Sequence, residues 1–138
     1  MAVLSRKPTA SPQISPETKP FWEAASAGKL FVKGCEDCQR VHYYPRTICP
    51  HCFGERTRWR ESAGLGSIYS FTVMRREKEP YALAYVTLDE GVTLMTNIVG
   101  CEPDAISVGQ RVRVRFVATP EGPPVAMFEP DQASETRP

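Results

Sequence analysis

The chain has 138 residues, 41% of them hydrophobic and 24% charged, with a formal net charge of +1. That length holds one domain, or one domain with a small appendage, of ordinary soluble composition. Near-neutrality argues against a nucleic-acid-coating protein or an acidic tail, and no apolar run approaches the roughly 18 residues of a membrane helix. Met1 to Pro20 carries charge and prolines but no apolar centre, so it does not read as a secretory signal. The expected compartment is the cytoplasm, where thiols stay reduced and free to bind metal.

Residues 1–14 read as a flexible, loosely held arm. The stretch 15–28 reads as a short helix. Ser15-Pro16-Glu17 has the composition of a helix start, and Pro20 allows a start as late as Thr18; Gly28 is the expected stop. Such a helix is too short to be stable alone and must dock. Phe21 and Trp22 on it have two readings. They pack on their own domain, or they anchor a partner or a bound ligand.

The strongest signal follows. Cys35-Glu36-Asp37-Cys38 and Cys49-Pro50-His51-Cys52 are two Cys-x-x-Cys pairs separated by ten residues. Each pair makes one tight turn that aims both sulfurs at a single ion. Two such turns build a tetrahedral four-thiolate site suited to one structural Zn2+, or to iron in a rubredoxin-like version. The alternative, two disulfides, needs an oxidising compartment that nothing here supports. Residues 29–61 therefore read as a zinc ribbon. Lys29 to Lys33 is its first strand, His42, Tyr43 and Tyr44 the return strand, and Arg58-Trp59-Arg60 a third. His42 and His51 are candidate substitutes for a thiolate, but four cysteines already fill the tetrahedron. A shell so closed leaves no position for water, so structure rather than chemistry is expected at the metal.

Residues 62–130 alternate as β-strands, and 131–138 read as a flexible C-terminal tail. The expected strands are Ser67 to Val73, Tyr81 to Leu88, Val92 to Val99, Arg111 to Val117 and Val125 to Phe128, with Asp89-Glu90-Gly91 as a hairpin turn. In the first of these, Ile68, Ser70 and Thr72 fall on one face and Tyr69, Phe71 and Val73 on the other. A short helical turn is expected near Asp104 to Ile106. Five short strands with the longest irregular connection between the third and fourth match a Greek-key barrel of OB type, with an open sandwich as the alternative. The fold class is thus mainly β: a short helix, a zinc ribbon and a five-stranded barrel.

The outward Arg111, Arg113 and Arg115 either keep an exposed strand wet or meet an anionic partner. Arg75, Arg76 and Lys78, in the loop between the first two barrel strands, are candidates for phosphate contact. Tyr81 and Tyr85 lie on one face of the second strand, where they either pack in the barrel or stack bases as in OB folds, which keeps a single-stranded nucleic-acid-binding protein as the alternative function. Cys101 stands apart from the quartet and reads as a buried or incidental thiol. No nucleophile with a histidine and an acid, no phosphate loop and no carboxylate pair is evident.

The order of motifs is familiar. Pro20-Phe21-Trp22 leads to Gly28-Lys29-Leu30, the first knuckle, His42, Pro45-Arg46 and the Cys49-Pro50-x-Cys52 knuckle. Trp59 follows, then Gly64-x-Gly66-x-Ile68-Tyr69-Ser70-Phe71-Thr72, Leu88-Asp89-Glu90-Gly91 and Val108-Gly109-x-x-Val112. Over roughly residues 18–130 this resembles the acyl-CoA-associated OB-fold proteins with an N-terminal rubredoxin-like zinc ribbon. One departure is Tyr44, where many relatives have a proline. The resemblance implies a non-catalytic accessory or scaffold subunit of an acyl-CoA-processing enzyme: a thiolase, a thiolase-like aldolase or an enoyl-CoA hydratase. It implies contact with that enzyme, and with CoA or acyl-CoA. Phe21, Trp22, Arg75, Arg76 and Lys78 are the candidates for either contact.

Overall fold

The computed structural model describes residues 3–131. The expected tail, apart from Asp131, lies outside the described residues. One helix precedes two β units. Helix α1 spans Lys19–Ser26, shorter than the expected 15–28. Ser15 does not cap it. Ser15 and Thr18 instead close a turn on each other, the Ser15 N–H donating to Thr18 Oγ1 at 3.0 Å and the Thr18 N–H to the Ser15 carbonyl at 3.1 Å. Pro20 then falls in the first turn, where its missing N–H has no intrahelical acceptor to lose. The helix ends where Gly28 turns left-handed at φ 79°, letting Gly28 and Lys29 donate back to Ala25 and Ala24.

The ribbon is a three-stranded antiparallel sheet in the order β2-β1-β3, with β1 at Phe31–Cys35, β2 at Val41–His42 and β3 at Thr57–Glu61. The second unit is a closed five-stranded barrel in the order β4-β5-β6-β8-β7. Its strands are β4 Leu65–Met74, β5 Tyr81–Leu88, β6 Thr93–Ile98, β7 Arg111–Val117 and β8 Val125–Pro130. Closure pairs β6 with β8 in parallel, Ile98 facing Phe128; the other barrel pairings are antiparallel. A 3-10 turn at Pro103–Ala105 interrupts the long connection to β7.

The strict alternation expected along β4 fails at a bulge. Ile68 faces Val86 and Ser70 faces Tyr85, leaving Tyr69 as the extra residue. Ile68 therefore points inward, and so do Phe71 and Val73 beyond the bulge, while Tyr69 is 69% exposed. Along β5 and β6 alternation holds: Ala82, Ala84, Val86 and Leu88 are buried, as are Leu94, Thr96 and Ile98.

One residue of the arm, Leu4, is packed against the barrel. Leu4 is 2% exposed and joins the core, its N–H donating to the Cys101 carbonyl at 2.7 Å and its carbonyl accepting the Gly100 N–H at 2.9 Å. The arm thus extends the end of β6 by one paired residue. The core is continuous from helix to barrel, with Phe21, Trp22, Leu30 and Val32 in one cluster with Ile68, Val86, Val112 and Phe128. A polar clasp fixes the junction. The Glu90 carboxylate, in the β5–β6 turn, accepts from the Ser62 hydroxyl at 2.7 Å and the Ala63 N–H at 3.0 Å.

Candidate metal centre and surrounding surface

The four predicted cysteines converge. Cys35 ends β1, Cys38 closes the first knuckle, and Cys49 and Cys52 form the second. Their sulfurs all lie within 4.8 Å of one another, with Cys35 and Cys52 at 3.6 Å and Cys38 and Cys49 at 3.7 Å. Four sulfurs at about 2.3 Å from one zinc would sit about 3.8 Å apart, so the donor set fits one tetrahedral ion. Each knuckle is closed by backbone bonds. Gln39 donates to the Cys35 carbonyl and Phe53 to the Cys49 carbonyl, both at 2.9 Å. The His51 N–H and the Gly54 N–H reach Cys49 Sγ and Cys52 Sγ at 3.4 Å. These donors favour thiolates, as metal binding requires.

Without metal the sulfurs share protons unequally. Against the pull of burial, the N–H groups of Cys52 and His51 lower Cys49 to about 7. Cys52 is pushed up to about 12: the Gly54 N–H favours its thiolate, but desolvation and the neighbouring sulfurs outweigh it. Metal binding must displace those protons, so affinity falls as pH falls. The surrounding carboxylates are held by arginines, Asp37 by Arg56 and Glu36 by Arg58.

Neither histidine belongs to the ligand group among the described residues. His42 is buried and accepts the Arg46 N–H on Nε2 at 3.2 Å. Burial lowers its pKa, which favours the neutral ring. His51 is exposed within the second knuckle.

The other candidates do not gather at this centre. Phe21 and Trp22 are 3% and 8% exposed and belong to the core. Their rings meet edge-on at 4.8 Å, and Phe21 also meets Tyr43 and Tyr44 edge-on. Their burial favours packing on their own domain. Arg75, Arg76 and Lys78 are exposed in the turn after β4, and Arg75 is paired with Asp104 at 2.8 Å. The three outward arginines of β7 all have carboxylates. Arg111 bonds both oxygens of Asp89 at 2.8 Å, while Arg113 and Arg115 share Glu129 at 3.2 and 3.5 Å. Cys101 is half-buried against the core, away from the quartet.

Two features escaped the sequence reading. One is a cleft of about 980 Å³ between the ribbon and the β5–β6 hairpin, lined in part by Arg40, His42, Tyr44, Arg46, Val92 and Met95. The other is the backbone after each knuckle: Gln39 and Phe53 are left-handed, at φ 62° and 63°. The doubled knuckle was the available signal, since equal turns put equal demands on the residue that follows.

Known proteins share this architecture. The family model for the ChsH2 rubredoxin-like zinc ribbon domain matches residues 22–58, and that for the ChsH2 C-terminal OB-fold domain matches residues 59–117. The chain is 34% identical over 116 residues to a probable enoyl-CoA hydratase alpha subunit of Thermomonospora curvata, covering 80% of this chain and 36% of that one. It is 33% identical over 89 residues to a DUF35 domain-containing scaffold protein of Methanothermobacter thermautotrophicus, covering 59% of this chain and 67% of that one. It thus spans little more than a third of the hydratase subunit and about two thirds of the scaffold protein. Among solved structures, a chain of the Ltp2-ChsH2(DUF35) aldolase superposes with a TM-score of 0.74 at 31% identity, covering 87% of this chain and 98% of that one. The ribbon, the barrel and their order place this chain in the ChsH2-type, DUF35 family of zinc-ribbon and OB-fold proteins.

Proposed function

We propose that this chain is a non-catalytic accessory subunit of an acyl-CoA-processing enzyme, working in the cytoplasm. The enzyme would be an enoyl-CoA hydratase, a thiolase or a thiolase-like aldolase. The observation that carries the reading is the closed donor set. Four sulfurs at tetrahedral spacing take up the whole coordination shell of one ion. A zinc so held ties two knuckles together and offers no position to a substrate or a water. The names of the relatives, a hydratase subunit, a scaffold protein and an aldolase component, agree with a chain that acts inside an assembly.

The chain's own residues would then hold a shape. The ribbon is rigid at the metal, the clasp at Glu90 fixes it on the barrel, and the assembled surface meets the enzyme. For the phosphates of CoA the chain offers Arg76 and Lys78, exposed after β4, and Arg40 and Arg46 in the cleft. Nucleic-acid binding through the barrel has less support, because the arginines of β7 already have carboxylate partners on the same surface.

The test is capture of the tagged chain from its own cells after nuclease treatment, with mass identification of what is retained. A stoichiometric acyl-CoA enzyme subunit, and turnover only by the pair, is the expected result. Companions that vanish with nuclease would instead favour a nucleic-acid-binding barrel, read out next by the salt dependence of binding.

A further inference from the structure

The second knuckle combines two unfavourable features in one residue. Phe53 is left-handed at φ 63°, a region that side chains with a Cβ avoid and glycine enters freely. It is also 79% exposed, more than any other large hydrophobic among the described residues. Its ring makes none of the aromatic contacts among the described residues and has no place in their core cluster. Folding alone would favour glycine here.

The first knuckle supplies an internal comparison. Gln39 holds the matching position at φ 62°, but its side chain contributes locally, Nε2 donating to the Glu36 carbonyl at 2.8 Å. Phe53 has no such bond to make. The adjacent Gly54 sits where a Cβ would fall 2.5 Å from Asp37 Oδ2 and 3.2 Å from Cys52 Sγ. Space therefore demands glycine at 54, and backbone conformation favours it at 53, yet 53 carries an aromatic. Other exposed apolar side chains, such as Tyr85 and Met95, occupy ordinary strand positions, so their exposure stands alone.

The backbone that carries the ring is held in place. It is fixed by the bond from the Phe53 N–H to the Cys49 carbonyl and by that from Cys49 to the Gly54 carbonyl, both 2.9 Å. A metal ion at the four sulfurs would fix it further. Ile48, 49% exposed just before Cys49, and Glu55, exposed two residues after Phe53, line one open cavity beside this knuckle. A large, rigid apolar group on a backbone that loses little entropy on binding has the properties of an interface hot spot.

We infer that Phe53 is the anchor by which this chain docks on its acyl-CoA enzyme subunit, inserting into an apolar pocket of ring size with a cationic rim facing Glu55. This rests on the accessory-subunit reading above. The test titrates the co-purified acyl-CoA enzyme subunit with the wild-type chain and with Phe53→Gly, Phe53→Asn and Gln39→Gly. Zinc content and melting temperature are measured on each.

Phe53→Gly should keep its metal, melt at or above the wild type, and bind the enzyme at least about tenfold more weakly. Phe53→Asn, polar but tolerant of the left-handed region, should lose binding in the same way. Gln39→Gly should bind as the wild type does. Stability and affinity moving in opposite directions at one residue is the signature of an anchor.

Phe53 variants that bind within about twofold of a binding wild type would overturn the inference while leaving the accessory reading intact. So would loss of metal or a lowered melting temperature in both Phe53 variants, which would make the ring structural. A wild-type chain that dimerises through Phe53, becoming monomeric in Phe53→Gly, would also overturn it. A wild-type chain that retains no acyl-CoA enzyme would overturn the accessory reading and this inference together.

Discussion

At Cys35 the chain allows no substitute. The residue is 3% exposed, its sulfur lies 3.6 Å from that of Cys52, and a serine hydroxyl is a far weaker zinc ligand than a thiolate. Cys35→Ser should lose its metal equivalent and unfold the ribbon; a folded variant with full metal content by elemental analysis would refute the four-thiolate assignment. Gly54→Ala tests the support around the ligands. Its Cβ would push on the Asp37 carboxylate and on Cys52, loosening the knuckle without removing a ligand. Zinc affinity measured against a competing chelator should fall about tenfold, the size expected when a ligand's support is disturbed. At this scale the ligands were legible because spacing alone dictates them. Phe53 was not, because its importance comes from a backbone angle and an exposure that residue type does not reveal. Leu4 was hidden likewise: it ends an apolar run of four residues, too short to show a period, yet the end of β6 has a place for it.

Helix α1 shows how one pattern carries two meanings. Adjacent aromatics on a short helix suit a partner's groove as well as a core, and only burial separates the two. Trp22→Ala should therefore destabilise the chain itself, by about 3–5 kcal/mol in denaturant unfolding. Unchanged stability with weakened partner binding would restore the anchor reading. The strands were legible from alternation, except where β4 inserts Tyr69. A bulge shifts the inward set by one residue, and the sequence Ile68-Tyr69-Ser70-Phe71 fits either face until the register with β5 is known. On β7, the Arg111–Asp89 pair gives a pH prediction. The hydrogen-bonded guanidinium holds the Asp89 carboxyl below its ordinary 3.8. A depressed folded-state pKa contributes stability above the unfolded value and loses it as pH falls through the folded one. The two side chains are 36% and 45% exposed, so solvent screening keeps the contribution under about 1 kcal/mol. Asp89→Asn should thus be slightly less stable than the wild type at neutral pH and equal to it below the carboxylate range, as read from urea midpoints. A gap that persists in acid would mean the carboxylate matters for something other than its charge.

Across the whole molecule, stability is divided between two different constraints. The barrel closes on its own ladders, with every strand hydrogen-bonded on both sides. The ribbon has three short strands, and its knuckles depend on an ion for cohesion. The continuous core and the Glu90 clasp couple the two units, but no strand of the barrel carries a cysteine of the quartet. Metal removal should therefore unfold the chain in two steps, the ribbon first. The sequence supplies the probe, because its two tryptophans, Trp22 and Trp59, lie on α1 and β3, both outside the barrel. Trp22 is buried, and Trp59 has the Lys33 ammonium 4.3 Å from its ring centre. A strong chelator should shift tryptophan emission to the red and quench the difference between the two environments. The β signature of the barrel in far-ultraviolet circular dichroism should largely remain, and zinc should reverse the emission change. If emission and dichroism collapsed together, the shared core would be the dominant constraint, and the metal would be holding the whole chain rather than its first half.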